Sequence, residues 1–342
     1  MQKVILVTGG AGFIGGNLIV QLIKSGAKII GVDNMSDYYD VRLKNYRLDL
    51  IGKTAESFSG EWKFYRGDIA EKDFLDEIFE IHKPTHVINL AAQAGVRHSS
   101  KNPAAYIRNN VVGFFNVLEA CRKFGVNHLV YASSSSIYGG NKKIPFSTTD
   151  KTDTPISLYA ATKKSDELLA HCYSELYKIP ATGLRFFTVY GEAGRPDMSY
   201  FKFTNKLLRG EDIQIYNYGN CARDFTYVSD IVEGVIRVVD CPPEIKNSAP
   251  HKIYNLGNGQ PVKVLDFVNV LQEELIRAEI LPGDYDFEAH KKLIPAQPGD
   301  VPITFADMRD FAHDFNFQPT TALTAGLRNF ARWYKKFYLV NE

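Results

Sequence analysis

The chain has 342 residues, with 40 lysines and arginines against 39 aspartates and glutamates, and a formal net charge of +1. At roughly 150 residues per domain, this length favours two domains or one large α/β unit with an added lobe. A hydrophobic share of 45% and a charged share of 23% exclude disordered and fibrous classes, and the even charge balance gives no indication of nucleic acid or a membrane as partner.

Short β-branched segments alternate with amphipathic segments through the first half of the chain. The predicted strands are Lys3–Thr8, Lys28–Val32, Trp62–Arg66, His86–Ala91, His128–Ser133 and Ala181–Phe187. The predicted helices between them include Gly12–Lys24, Glu71–Ile81, Ala104–Phe124 and Leu158–Tyr177. Nearly continuous apolar strands separated by helices predict an α/β fold with a doubly wound parallel sheet of the Rossmann type.

Beyond about Gly191 the alternation gives way to shorter elements between loops rich in Gly, Pro and Asn. This pattern predicts a smaller mixed α/β lobe that packs against the sheet. We expect residues 1–190 to form a dinucleotide-binding domain that carries the reactive groups. Residues 191–342 should form mainly a substrate-binding lobe, from which one strand could return to the main sheet.

Targeting and metal signals are weak in this sequence. No apolar run is long enough to span a bilayer, and the N-terminus leads into a predicted strand without a secretory h-region. The four cysteines form no Cys-x-x-Cys motif and the eight histidines show no metal-ligand spacing. We therefore expect a soluble, cytoplasmic protein without a metal.

The first predicted strand leads into the turn Gly9-Gly10-Ala11-Gly12-Phe13-Ile14-Gly15, which opens a helix. Glycines at 9 and 12 allow the backbone to approach a pyrophosphate, and Gly15 allows close helix–strand packing. Asp33 ends the next strand, where its carboxylate would accept hydrogen bonds from the adenosine ribose and repel a 2′-phosphate. An ordinary tight turn is the alternative, but the strand, helix and acid together predict NAD.

Two further segments follow later strands of the predicted sheet. Asp68-Ile69 comes after the third strand and is predicted to border the adenine. Ala91-Ala92-Gln93 comes after the fourth strand, where the nicotinamide half should lie. A plain strand end is an equal alternative for each.

Tyr159 and Lys163 lie four residues apart at the start of a predicted helix, so their side chains share one face. A free tyrosine is a poor base at neutral pH, but a neighbouring ammonium and a hydrogen-bond donor favour the phenolate. The run Ser133-Ser134-Ser135-Ser136, at the carboxyl end of a strand, would supply that donor. A surface tyrosine beside a solvated lysine is the alternative, which the glycine turn and the serines disfavour.

Three motifs together resemble the extended short-chain dehydrogenase/reductase superfamily over essentially the whole chain: Thr8–Gly15, the serines before Ile137-Tyr138-Gly139, and Tyr159-x-x-x-Lys163. Four further segments are similar to the UDP-glucuronate 4-epimerases: Asp33–Asp40, Ala91–Arg97, Phe186–Gly191 and Gly194–Met198. The Arg-Pro-Asp-Met sequence of the last segment is unusual among relatives that act on neutral sugars.

The resemblance implies roles for the reactive residues. Tyr159 would be the base, Lys163 would bind the nicotinamide ribose, and Ser134 would bond the reacting 4-hydroxyl, with Ser135 and Ser136 as close rivals. It also implies further cofactor contacts from Asn34, Asn109, Ser133 and Phe186.

The resemblance implies a UDP-sugar substrate whose carboxylate meets Thr188 and Arg195. A planar guanidinium suits this role because it can bind a carboxylate through two parallel hydrogen bonds. Pairing of Arg195 with Glu192 or Asp197 on a surface loop is the alternative. Glu192-Ala193 stands where Pro-Trp is common in this subfamily, and its carboxylate would either point away harmlessly or disfavour an acidic sugar.

The nucleotide part of the substrate would be held by residues further along the chain. The resemblance implies that Arg223 binds the UDP phosphates, that Tyr216 lies near the uracil through its backbone, and that Asp300 lies near the ribose. Gln297 stands where many relatives carry arginine, which puts a diphosphate contact there in doubt. For Arg97, closure over the sugar and a nearby salt bridge both remain open.

The sequence therefore predicts a UDP-glucuronate 4-epimerase that forms UDP-galacturonate with NAD through a transient 4-keto sugar. The alternatives are a 4-epimerase of neutral UDP-sugars, a decarboxylase or dehydratase, and a non-catalytic nucleotide sensor. Dehydratases usually carry Asp-Glu at the strand end, where this chain has only serines. The apolar stripes on helices Ala104–Phe124 and Leu158–Tyr177 match those of the superfamily's homodimer bundle, although a buried intrachain face would look the same.

Overall fold

The computed structural model describes residues 3–297 and 299–340 of the chain. Its strands are β1 (Val4–Thr8), β2 (Lys28–Asp33), β3 (Trp62–Arg66), β4 (His86–Asn89), β5 (His128–Ser134), β6 (Ala181–Phe186), β7 (Thr188–Tyr190), β8 (Ile213–Ile215), β9 (Ala222–Tyr227), β10 (His251–Leu256), β11 (Pro261–Lys263) and β12 (Lys291–Leu293). Its α-helices are α1 (Phe13–Lys24), α2 (Val41–Ser57), α3 (Lys72–His82), α4 (Pro103–Tyr106), α5 (Gly113–Phe124), α6 (Leu158–Tyr177), α7 (Ser199–Leu208), α8 (Val228–Val239), α9 (Val264–Arg277), α10 (Arg309–Phe315) and α11 (Leu323–Tyr334). None of these helices combines the length and apolar composition that crossing a bilayer requires.

Seven strands form one parallel sheet in the order β3-β2-β1-β4-β5-β6-β10. Its strands are rich in buried apolar residues because helices cover both faces. On one face Ile5 belongs to a core with Leu18 of α1 and Val235 of α8. On the other, Leu6 belongs to a core with Phe79 of α3. The doubly wound parallel sheet predicted from the sequence is confirmed.

The strand order reverses beside β1, which has β2 on one side and β4 on the other. In doubly wound sheets ligands bind beyond the carboxyl ends of the strands at such a reversal. The glycine turn after β1 and the segment after β4 therefore lie on opposite sides of one crevice.

The second half of the chain adds a strand to this sheet, because β10 pairs in parallel with β6 from His251↔Ala181 to Leu256↔Phe186. Smaller sheets, β11-β9-β7 and β12-β8, lie among the remaining elements. The division into residues 1–190 and 191–342 stays a prediction, since β10 of the second segment belongs to the sheet of the first.

The predicted helix Ala104–Phe124 is wrong in one respect: a π-helical turn, Ile107–Val112, separates α4 from α5. The wider turn carries the buried Asn110, whose amide donates to the Gln93 carbonyl (3.1 Å) and to the Thr162 hydroxyl (3.0 Å). Its oxygen accepts the Gln93 N–H at 2.7 Å. Such turns are frequent at functional sites, and this one fixes the segment after β4 against α6.

One predicted strand is too long. His86–Ala91 ends at Asn89, whose side chain accepts the Thr8 hydroxyl hydrogen bond at 2.6 Å. The other predicted bounds agree with the structure within one residue, including β5, which extends to Ser134.

Candidate active site

The glycine turn leaves room for a ligand at the start of α1. Gly9 has a φ of +69°, and a Cβ on Gly15 would lie 2.1 Å from the Gly9 carbonyl oxygen, so neither position accepts a side chain. Gly12 precedes α1 and gives it no side-chain cap. The first N–H groups of α1 are thus suited to bind a phosphate.

A cavity of about 270 Å³ runs from this turn across the carboxyl ends of the central strands. Every residue predicted to contact the dinucleotide lines it: Gly9, Gly12, Phe13, Ile14, Gly15, Asp33, Asn34, Asp68, Ile69, Ala91, Gln93, Asn109, Ser133, Tyr159, Lys163 and Phe186. An elongated cleft with glycine backbone at one point and Asp33 near it fits a dinucleotide. Their individual roles remain predictions.

Asp33, at the end of β2, is fixed from several sides. Its Oδ2 accepts the Ala11 N–H of the glycine turn at 3.2 Å, and its Oδ1 accepts the Met35 N–H at 2.8 Å. Lys44 of α2 also lies 3.0 Å from Oδ1, and both side chains are buried. The sequence analysis missed Lys44, because nothing in its spacing shows that α2 turns this residue back towards β2.

Asp68 lies at another part of the same cavity. Burial alone would raise the pKa of Asp68, but hydrogen bonds from the Ala70 N–H, Arg108 and Asn34 hold that pKa below its usual value. The carboxylate is therefore ionised at neutral pH and ready to accept a hydrogen bond.

Tyr159 and Lys163 occupy the first turns of α6, which Ser157 caps by accepting the Ala160 N–H at 3.1 Å. The Lys163 Nζ donates to the Ala132 carbonyl of β5 at 3.0 Å and to Asp166 Oδ2 at 3.0 Å. These bonds fix the ammonium against the strand that leads to the serines.

Asp166 is a second residue that the sequence analysis missed. It is 1% exposed, and its Oδ1 has no hydrogen-bond partner among the described residues. Burial raises the pKa of Asp166 to about 6, although the adjacent Lys163 acts in the opposite direction. A buried acid next to the predicted catalytic lysine is visible in the sequence only as i,i+3 spacing, which is common on any helix.

The serine run divides between two cavities. Ser133 and Ser134 line the first cavity together with Tyr159, whereas Ser135 and Ser136 line a neighbouring one. Ser134 Oγ accepts the Ser136 N–H at 3.1 Å, which fixes its side chain. Of the three predicted donors to the 4-hydroxyl, Ser134 is the one that shares a cavity with Tyr159.

The second cavity contains most of the predicted substrate contacts. Besides Ser135 and Ser136 it is lined by Thr188, Arg223 and Asp300. The Arg223 guanidinium donates to the Ala222 and Pro302 carbonyls at 2.9 and 3.3 Å, and burial lowers the pKa of Arg223. A partly buried guanidinium whose bonds within the described part of the chain go to carbonyl groups is suited to bind an added anion.

Tyr216 lines neither cavity; its ring lies 4.2 Å from the Arg97 guanidinium, which lines the second one. Arg97 also forms an ion pair with Asp300 at 2.9 Å. Of the two alternatives for Arg97, the structure has the salt bridge.

Arg195 lines the first cavity but also forms the ion pair that was weighed as its alternative. Its Nε and Nη2 bond the two carboxylate oxygens of Asp197 at 3.0 and 2.8 Å. Burial would lower the pKa of Arg195, but Asp197 raises it above its usual value. The Nη1 group has no hydrogen bond to any residue that the structure describes.

Glu192, the unusual residue of this loop, points elsewhere. The Tyr227 hydroxyl donates to its carboxylate, with oxygen–oxygen distances of 2.7 and 2.6 Å, and Asn329 donates to that hydroxyl at 3.0 Å. Glu192 lines neither cavity. Of the two predicted outcomes, the structure agrees with the harmless orientation.

Across residues 3–297 and 299–340, no group of three or more His, Cys, Asp or Glu residues is arranged to hold a metal ion.

Comparison with known proteins agrees with this geometry. Residues 5–257 match the family described as NAD dependent epimerase/dehydratase family, and the chain belongs to that family. The predicted superfamily and NAD cofactor are thereby confirmed, and the protein is an NAD-dependent enzyme of the epimerase class.

Two curated relatives and one solved structure show which members of the family this chain is similar to. Protein CapI of Staphylococcus aureus is 48% identical, over 98% of this chain and 99% of its own length. UDP-glucuronate 4-epimerase 4 of Arabidopsis thaliana is 44% identical, over 98% of this chain and 76% of its own length. The structure of UDP-glucuronic acid 4-epimerase from Bacillus cereus, in complex with UDP-glucuronic acid and NAD, has a TM-score of 0.84 at 29% identity, covering 98% of this chain and all of that one.

Proposed function

We propose that the protein is a UDP-glucuronate 4-epimerase that interconverts UDP-glucuronate and UDP-galacturonate through a transient 4-keto sugar. The main support is that Tyr159, Ser134 and Arg195 line the same cavity as the glycine turn. This arrangement puts a base, a hydroxyl donor and a carboxylate-binding cation around one region next to the dinucleotide site. The 44% identity to an Arabidopsis UDP-glucuronate 4-epimerase supports the same substrate.

In this proposal Tyr159 removes the proton of the sugar 4-hydroxyl and later returns it. Lys163, one helical turn along α6, would bind the nicotinamide ribose and hold it next to Tyr159. Ser134 bonds the 4-oxygen and keeps it within reach of the phenol. Bound NAD supplies reversible hydride acceptance at the sugar C4, with no net redox change over the cycle.

The UDP part of the substrate would occupy the second cavity. There the partly buried charge of Arg223 would meet the diphosphate, and Asp300 would exchange its bond to Arg97 for one to the ribose. Thr188 lines the same cavity on the side of β7 and would contact the sugar carboxylate. Tyr216 would approach the uracil through its backbone, next to Arg97.

Arg195 would hold the sugar carboxylate while Asp197 holds Arg195. Asp197 occupies the Nε–Nη2 edge of the guanidinium. The edge left for the substrate consists of Nη1, which bonds no described residue, and the second Nη2 hydrogen, whose contact with the Met198 sulfur at 3.9 Å the carboxylate would replace. A 4-keto uronate is a β-keto acid and loses carbon dioxide when its carboxylate bond aligns with the carbonyl π system. A two-point grip that prevents this alignment would protect the intermediate.

The direct test is incubation of the purified, NAD-loaded protein with UDP-glucuronate and, separately, with UDP-glucose. We expect UDP-galacturonate from the first and less than about one hundredth of that rate from the second. Product from the neutral sugar alone would reject the proposed substrate. Loss of carbon dioxide or water, detected by mass spectrometry, would instead indicate a decarboxylase or a dehydratase.

We also propose that the enzyme is a cytoplasmic homodimer. Large apolar side chains are exposed on α5 and α6, among them Phe115 (42%), Leu168 (59%) and Leu176 (64%). Pairing these helices with those of a second copy would bury them in a four-helix bundle. Light scattering should give twice the chain mass, and the double variant Leu168→Glu, Leu176→Glu should be monomeric. A wild-type monomer would contradict the proposal.

A further inference from the structure

Arg47 of α2 is a buried arginine with an unusual set of partners. It is 2% exposed, and no carboxylate forms an ion pair with it among the described residues. Arginine stays charged when buried, and a buried charge must be balanced by other means. In this chain the balance comes from backbone carbonyls and one hydroxyl.

These partners belong to three separate segments. Arg47 Nη1 donates to the Ala11 carbonyl in the glycine turn at 2.8 Å and to the Tyr39 hydroxyl at 2.9 Å. Arg47 Nε donates to the Ala193 carbonyl at 3.0 Å, and Nη2 donates to the carbonyls of Ala193 and Gly194. One side chain thus connects the predicted pyrophosphate turn to the loop that carries Arg195.

The loop conformation depends on this contact. Ala193 has a φ of +49°, in the left-handed region that an alanine adopts at an energetic cost. It is 5% exposed, and its carbonyl accepts two Arg47 N–H groups. A paired donor on that carbonyl offsets the cost and fixes the direction in which the chain continues to Arg195.

On its other side, the aliphatic part of the Arg47 side chain packs closely against Gly16 of α1. A Cβ on Gly16 of α1 would lie 3.0 Å from the Arg47 Cβ and 3.1 Å from its Cδ. Gly16 is the last glycine of the Gly15-Gly16 pair and is not part of the turn that faces the cavity. Its lack of a side chain lets the Arg47 stem lie against α1 while the guanidinium reaches both loops.

We propose that Arg47 is a positioning residue that couples NAD binding to the substrate loop, residues 191–197. A pyrophosphate at the glycine turn would add negative charge near a guanidinium that pairs with no carboxylate among the described residues. This would favour the arrangement in which Arg47 bonds Ala11, Ala193 and Gly194 together. By linkage, an ordered substrate loop would in turn favour NAD. The coupling rests on the proposed function only in the identity of the ligand that Arg195 binds.

The test is hydrogen exchange of the backbone amides of residues 191–198, with and without NAD. In the wild-type protein we expect NAD to slow exchange of this segment by about tenfold or more, the usual scale of an allosteric coupling. In Arg47→Met, which keeps an apolar stem and loses the charge, NAD should slow the amides of residues 12–16 but not those of 191–198. Lys53→Met, at an exposed position of the same helix, should behave as wild type.

Arg47→Lys is the second variant, in case the methionine variant is unstable. Its single ammonium cannot bond three segments at once, so most of the NAD-dependent protection should be lost at near wild-type thermal stability. In steady-state assays Arg47→Lys should raise KM for UDP-glucuronate several-fold more than it lowers kcat.

Two results would overturn the coupling: equal NAD-dependent protection of residues 191–198 in wild type and both Arg47 variants, or no protection in wild type. Neither depends on the sugar substrate. If UDP-glucuronate is not epimerised while NAD still protects this segment through Arg47, the proposed function fails and the coupling stands.

Discussion

The two cavities differ in where their lining residues lie in the sequence. Much of the cofactor cavity is lined by residues at or just after the carboxyl ends of β1, β2, β3, β4 and β5, which the sequence pattern reveals, while Asn109, Tyr159 and Lys163 come from helical segments. The second cavity draws Arg97, Thr188 of β7, Arg223 of β9 and Asp300 from segments far apart in the chain. In this fold the cofactor site is local in sequence, whereas the substrate site exists only once the second half of the chain has packed onto the first.

The largest expected effect is at Tyr159, which lines the first cavity together with Ser134. Tyr159→Phe removes the proposed base and should lower kcat by about 10³-fold or more, because proton transfer alone contributes on the order of 10²–10⁴. NAD and UDP affinities should change less than about threefold. The measurement is turnover of UDP-glucuronate together with calorimetric titration of both ligands.

Tyr177→Phe, at an exposed position on the same helix, is the matched control and should keep full activity. Full turnover by Tyr159→Phe would remove Tyr159 from the chemistry and leave the first cavity as a binding site only.

The pH dependence of stability tests the role of His128, a buried residue of β5 in the central sheet. Burial lowers the pKa of His128 to about 4; its ring bonds the Val239 carbonyl of α8 and the Thr182 hydroxyl of β6. The unfolded chain takes up this proton near pH 6.5 and the folded chain only near pH 4. This contribution to stability is therefore present above pH 6.5 and is lost as the pH falls towards 4.

The loss should reach about 3 kcal/mol of unfolding free energy. Urea titrations at pH 7 and pH 4.5 measure it, and His128→Gln should show a weaker dependence on pH than wild type. His313→Gln, at an exposed position, serves as the control. An identical pH dependence in wild type and His128→Gln would show that this histidine is not responsible.

A substitution in the Arg195 loop sharpens the contrast between cofactor and substrate sites. Arg195→Met should raise KM for UDP-glucuronate roughly 10- to 100-fold, the value of a lost charged hydrogen-bond pair, while NAD affinity stays within about threefold. Loss of the guanidinium should also increase the share of decarboxylated product. Binding of UDP, which lacks the carboxylate, is the internal control, and an equal loss of UDP affinity would contradict a role on the sugar.

The smallest expected effect is at Glu192. Because the Tyr227 hydroxyl already bonds both of its carboxylate oxygens, Glu192→Gln should change the ratio of kcat/KM for UDP-glucuronate and UDP-glucose less than about twofold. A preference that rises clearly towards the acidic sugar would show that this carboxylate reaches the substrate.

The sequence predicted the parallel sheet and the strand-end residues of the cofactor cavity because both follow from short-range patterns, whereas Asn109 and Phe186 were implied by the resemblance to known enzymes. Short runs of apolar residues predict the strands, and in a doubly wound sheet functional residues follow the carboxyl ends of the strands. The π-helical turn was missed because the apolar pattern of Ala104–Phe124 suits an α-helix. The wider π-helical turn positions Asn110, whose hydrogen-bond partners Gln93 and Thr162 are distant in sequence.

The missed site residues share another physical origin. Lys44, Arg47 and Asp166 are charged residues within helices, where a sequence pattern predicts exposure. Each is buried next to a partner from another segment or the adjacent turn: Asp33 for Lys44, loop carbonyls for Arg47, and Lys163, which bonds one of the two carboxylate oxygens, for Asp166. Such partnerships depend on tertiary packing, so spacing alone does not reveal them.

The buried ion pair of Asp33 and Lys44 also affects how the protein would distinguish NAD from NADP. The acid predicted to repel a 2′-phosphate is the immediate neighbour of a cation that would attract one. Replacing Asp33 with a small neutral residue removes the repulsion and releases an ammonium at the same spot. With Asp33 in its predicted role, one side chain would set the discrimination against NADP, and its replacement would be the first step in changing the cofactor preference of this scaffold.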